Sequence, residues 1–234
     1  MIHVDLPKMT STSPYSSAQI KKFSSGLLRP RLAGDFSPFH GNRDLVRQLS
    51  NFVQLIALSG GRYGDTLKVL PTFYVVGARP SDEVIPQAVA LSAEHPDRWR
   101  FQGRRLDISL AEDICVLLRE RSPLSFFSPI VAADVISALR SACANVTSED
   151  APLFLAFFLM ANGIGGEKLW IEKARRHFLK QNPVLQHEWQ RATLQRIDVL
   201  EQRVNAPNAA ALCQQEANEQ AARLHLPRIE WAVT

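Results

Sequence analysis

The chain has 234 residues, 46% of them hydrophobic and 21% charged, with 11 glycines and 14 prolines; that composition supplies a sizeable core and excludes a collagenous or low-complexity chain. The net charge is +4, and 20 of the 27 cations are Arg. An Arg excess suits planar recognition of phosphate or carboxylate, and it is equally what a GC-rich bacterial genome encodes, so charge alone names no partner.

The N-terminal stretch MIHVDLPKMTSTSPYSSAQIKKF lacks the apolar run a secretory signal needs and is rich in Ser and Thr. Residues 1–40 are therefore expected to form a flexible leader, ahead of a single globular domain over 41–234. Such a leader also resembles the export segments read by specialised secretion systems. The cysteines Cys115, Cys143 and Cys213 are odd in number and far apart, so neither a disulfide framework nor a zinc site is indicated and a reducing cytoplasm is expected.

In Phe39-His40-Gly41-Asn42-Arg43, a His, an Arg and a Gly fall where the pattern predicts a helix N-terminus, a place suited to an anion. The helix itself is expected over Asn42 to Leu58, with Leu45, Val46, Leu49, Phe52, Val53 and Ile56 at helical spacing and Gly60-Gly61 as its stop. A short buried strand is expected over 72–76, bounded by Pro71 and Gly77. A helix is then predicted from Ser81-Asp82-Glu83 to about Ala93.

Residues 98–108 suit a hairpin: Trp99 and Phe101 alternate with Arg98 and Arg100, Gln102-Gly103 can turn, and Arg104 and Arg105 lie on the return. Cations interleaved with aromatics can pair phosphates and stack on bases, which makes Arg98, Trp99, Arg100, Arg104 and Arg105 the first candidate surface, for nucleic acid or an acidic partner. The same alternation also serves a hairpin with both rings in the core and solvated guanidiniums.

Ser109-Leu-Ala-Glu112 has the form of a capping box opening a helix to about Arg121, and Ser128-Pro129 precedes another over Ile130 to Ala144. Thr147 to Met160 is apolar on every side from Leu153 onward, which predicts a central helix. Glu167 to Lys180 follows, with Leu169, Trp170, Ala174 and Phe178 expected inward. Its outward cations Lys168, Lys173, Arg175, Arg176 and Lys180, with His177, form the second candidate face, partly compensated by i,i+4 pairs such as Glu172 with Arg176. Two further helices are expected over Val184 to Val204 and Ala209 to about Leu224.

The fold expected is mainly α, about eight helices with at most a short strand and one hairpin. No HExxH, GxSxG or P-loop occurs, so no catalytic residue, metal or cofactor is expected. Abundant apolar helices and basic faces, without a catalytic constellation, point to a non-catalytic binding or adaptor protein, an accessory subunit of a larger bacterial assembly acting through protein contacts. Nucleic-acid binding through residues 98–105 is the alternative, and an exported effector enzyme a further one.

Overall fold

A computed structural model of the chain describes residues 15–60, 66–78, 89–90, 99–145 and 150–231. Among these residues the fold is α+β, with six strands in one antiparallel sheet and seven α-helices, and this overturns the mainly helical expectation. The chain runs α1 (Ser17–Phe23), β1 (Ser37–Phe39), β2 (Asp44–Leu49), β3 (Phe52–Gly60), β4 (Thr66–Val75), β5 (Val89–Ala90) and β6 (Arg100–Gln102). The helices α2 (Ile108–Arg121), α3 (Ala132–Asn145), α4 (Asp150–Ala161), α5 (Glu167–Gln181), α6 (Glu188–Arg203) and α7 (Ala209–Arg223) follow.

The sheet order is β1-β2-β3-β4-β5, and β6 also pairs with β4. Since β3 takes one edge of β4 along nearly its whole length, β5 and β6 share the other, at opposite ends. The interval between them, Val69 to Pro71, contains the one residue of that run with no N–H to donate. The expected strand over 72–76 is thus the end of a longer one that passes through Pro71.

The helix expected over Asn42 to Leu58 is instead the β2–β3 hairpin, with Leu49 opposite Phe52 and Ser50-Asn51 as its two-residue turn. Ser50 adopts φ 52° there. Both faces of this hairpin are buried, so neighbours such as Leu45 and Val46, or Phe52 and Val53, are all apolar. Burial on both sides erases the period-2 alternation and leaves a pattern that imitates a helix.

The expected hairpin over 98–108 does not form either. Residues 100–102 pair with Thr66 to Lys68, far away in sequence, and Gly103 (φ 66°) turns the chain toward α2. Asp107, rather than Ser109, caps α2 by accepting from the Leu110 N–H. Within the helix expected over 81–93, Val89–Ala90 is a strand, and the remaining residues lie outside those described.

The expected boundary at residue 40 does not separate a leader from the fold over the described part. Ile20, Phe23, Leu28 and Phe36 are each at most 3% exposed and belong to the core, and β1 is a strand of the sheet. Residues 1–14 lie outside those described.

The helix α4 is central, as its composition predicts: every residue from Ala151 to Asn162 is buried. Phe154 meets Tyr74 edge-on and Phe158 meets Phe52 in the same way, joining α4 to the sheet. At its end Asn162 donates to Asn51 and accepts from the Ser50 hydroxyl, tying α4 to the β2–β3 turn. Beyond β4, Gly77 holds φ 89°, and a Cβ there would lie 2.6 Å from the Phe157 ring. Only glycine fits that crossing of β4 with α4 and α7.

Candidate functional site

The two basic groups expected from sequence have different fates. Of the first, Arg98 lies outside the described residues, and Trp99 is 5% exposed, packed in the core. Phe101 is half-buried and packs against that core, while Arg100 is exposed on β6. The Arg104 guanidinium bonds to Asp113 at 2.6 Å, and its backbone carbonyl accepts from the Tyr15 hydroxyl. Arg104 and Arg105 line a cavity of about 690 Å³ with Tyr15, Lys22 and Leu27. The rings and guanidiniums of the expected array are therefore dispersed between core, strand edge and cavity wall.

The second group is partly assembled. Lys173, Arg176 and Lys180 line a cavity of about 400 Å³, walled by α5, the last turns of α3 and the start of α4. Trp170 and His177 of α5 join them, so the lining positions 170, 173, 176, 177 and 180 recur every three or four residues on one side of the helix. Across the cleft α3 supplies Arg140, Cys143 and Ala144, and α4 supplies Pro152.

Lys168 and Arg175 stand apart. Lys168 is exposed in the first turn of α5, outside the cavity. Arg175 points to α6, where it bonds to Glu201 at 2.6 Å and to Asp198. The Glu201 hydrogen bond raises its guanidinium pKa most, against the opposing effect of burial, with Asp198 adding to the rise. The expected i,i+4 pair of Glu172 with Arg176 does not form: no ion pair joins these two described residues. Leu169, expected inward, is 53% exposed, and Ile171 takes the buried position instead.

Within the cleft, the Lys173 ammonium lies 4.2 Å from the centre of the Trp170 ring, where the negative face of the indole attracts it. His177 is hydrogen-bonded to Gln181 at 3.0 Å. Burial pushes the Cys143 thiol up to about 12, against the pull of Lys173, so at neutral pH it is a protonated, apolar wall group. Among the described residues the lining contains two arginines, two lysines, one histidine and no carboxylate.

Arg140 and Cys143 could not be assigned from sequence because nothing local shows that α3 lies beside α5. Trp170, expected only as a core residue, could have been, from its three-residue spacing to Lys173.

The His40–Arg43 group proves to be the β1–β2 turn rather than a helix start. His40 (φ 46°) and Arg43 both bond to the buried Asp44, whose carboxylate also accepts the Leu58 N–H.

No protein family, curated protein or solved structure matches this chain. Among the described residues no cluster of His, Cys, Asp and Glu is arranged to hold a metal ion, and no helix is long and apolar enough to cross a membrane.

Proposed function

We propose that the protein is a non-catalytic binding protein, an adaptor whose α3–α5 cleft receives an acidic segment of a protein partner. The observation that carries this reading is the convergence of Arg140, Lys173, Arg176, Lys180 and His177 on one cavity with no carboxylate in the described lining. An acidic chain offers the complementary potential and is steered to it over a Debye length of about 8 Å at physiological salt. Leu169 and Leu179, at 53% and 41% exposure, lie on the same helix and offer apolar contact to residues flanking the acids.

A peptide segment suits this cleft better than nucleic acid. A strand of DNA or RNA needs a cationic groove that tracks several phosphates and exposed rings for stacking. The cleft is a single cavity of about 400 Å³, and Trp170, the larger of the two rings in its described lining, already carries Lys173. Three unpaired cysteines, two of them buried, accord with a cytoplasmic setting.

The test is fluorescence anisotropy with a labelled acidic, amphipathic 15-residue peptide and a labelled 20-nucleotide single strand, each over a salt series. The peptide should bind more tightly than the nucleic acid, and the double variant Arg176→Glu, Lys180→Glu should weaken it by about a hundredfold, tenfold for each reversed charge. Tighter binding of the nucleic acid would transfer the cleft to that class. Binding of neither at low salt would remove the docking reading altogether.

A further inference from the structure

Most arginines elsewhere in the described structure are committed, although exposed Arg105 and Arg228 are not among them. Arg175 forks to Asp198 and Glu201, Arg196 and Arg203 share Glu216, Arg104 holds Asp113, Arg43 holds Asp44, and the buried Arg47 faces Asp35. Arg29 and Arg191 donate to backbone carbonyls. Against that habit, the α3–α5 cleft places Arg140 on one wall and Arg176 on the other without a carboxylate partner among the described residues, and adds Lys173 and Lys180.

We infer that the group this cleft takes is a phosphomonoester dianion carried on a side chain of the partner, an inference that rests on the docking function proposed above. Three features point to it. The first is charge: a single carboxylate leaves most of four cations unmatched, whereas a phosphomonoester brings about −1.5 to −2 at neutral pH and three acceptor oxygens. The second is the kind of cation: Arg140 and Arg176 line one cavity from two helices, and a guanidinium can give a phosphate two parallel N–H bonds, the pairing for which Arg is better shaped than Lys. The third is size. A cavity of about 400 Å³ suits one phosphorylated side chain, with the rest of the acidic segment lying along the surface around it.

The rest of the wall agrees with that occupant. Cys143, Ala144, Pro152 and Trp170 form an apolar lining for the carbon stem of the phosphorylated residue. With its proton held to about pH 12, Cys143 adds no negative charge at neutral pH. The helix ends add little: the C-terminal turn of α3 contributes partial negative charge and the N-terminal turn of α4 partial positive charge, so the side chains set the field.

The experiment compares four labelled peptides of one acidic sequence that differ only at a central residue: Ser, Asp, phosphoserine or phosphotyrosine. Binding to the full chain is read by anisotropy, with inorganic phosphate as competitor. At least one phosphopeptide should bind about tenfold or more tighter than both the Ser and Asp peptides. Inorganic phosphate should displace it, and Arg140→Gln or Arg176→Gln should each bring its affinity down to that of the Asp peptide. Arg140→Lys, which keeps the charge and loses the fork, should restore only part of the loss. Denaturation midpoints of these exposed-site variants should match that of the unmodified protein, which separates lost binding from lost folding. If all four peptides bind equally, or the Gln variants keep the phosphopeptide preference, the phosphate seat is wrong while acidic docking stands. If no peptide binds, both readings fall together.

Discussion

The least expected side chain in the protein is Arg47, an arginine 1% exposed in the middle of β2. Its five donors explain how the fold tolerates it. The guanidinium donates twice to Gln54 Oε1 on β3 and to the carbonyls of Ser125 and Ser128 in the segment joining α2 to α3, and it sits 4.8 Å from the Phe36 ring centre. Asp35 lies 3.5 Å away. Burial lowers its pKa, Asp35 partly opposes this, and a guanidinium stays protonated under any physiological condition. One side chain thus fastens the sheet to the loop ahead of the helical half. Replacing it with Met fills much of the volume but strands two carbonyls and an amide, so Arg47→Met should cost about 3–5 kcal/mol. Arg47→Lys should also destabilise, since one ammonium cannot span these acceptors. Urea denaturation followed by circular dichroism reads both, and midpoints within about 0.5 kcal/mol of the unmodified protein would show that the network contributes little.

At the scale of elements, the helical half was legible and the sheet, beyond the end of β4 expected over 72–76, was not, for one physical reason. A helix packed on one side repeats its apolar positions every three or four residues, and α5, α6 and α7 each show this. A strand advertises itself by alternation only when one face is wet. Here Asp44 to Arg47 of β2 and Phe52 to Ile56 of β3 are buried on both faces, and two of the buried residues, Asp44 and Arg47, are charged. The β-branched Val46, Val53 and Ile56 and the Ser50-Asn51 pair at the centre were the signals that favoured a hairpin. The pairing of β6 with β4 and the meeting of α3 with α5 are long-range facts that no local pattern holds, so Arg140 escaped while Lys173, Arg176 and Lys180 did not.

The joint between α6 and α7 carries its own prediction. Glu216 on α7 accepts from Arg196 at 2.7 Å and from Arg203 at 2.8 Å, and Arg196 continues to the carbonyls of Gly77 and Ala78 beyond β4. Burial would raise the Glu216 pKa, but the hydrogen bonds from Arg203 and Arg196 more than reverse this and leave it below its ordinary value. A carboxyl that holds its proton less tightly when folded contributes stability above its unfolded pKa and loses it as pH falls through the folded value. Because the carboxylate is 33% exposed, screening limits its worth, and Glu216→Gln should cost roughly 1–2 kcal/mol at pH 7. The gap between variant and parent should close as pH drops below about 4. A gap that persists unchanged to pH 3 would assign the loss to packing rather than charge.

For the whole molecule the decisive matter is that the described N-terminal segment is part of one core rather than an appendage to it. Ser16 caps α1 together with Gln19 and Ser17 is exposed, while the other side of the helix carries Ile20 and Phe23, 3% and 1% exposed, into the core. Tyr15 adds a hydrogen bond to the Arg104 carbonyl, which joins this segment to the turn before α2. Burying side chains of this size is worth about 1.5–3 kcal/mol each. Truncating them leaves cavities that raise the cost to roughly 2–5 kcal/mol apiece, against a total stability of only 5–15 kcal/mol for a typical domain. Deleting residues 1–25 should therefore abolish cooperative thermal unfolding or lower the midpoint by well over 10 °C, and Phe23→Ala should reproduce part of the loss in the full-length chain. Scanning calorimetry decides it. A truncated chain with an undiminished transition would mean that α1 only rests on a core complete without it, and the segment would then be free for a role outside the fold.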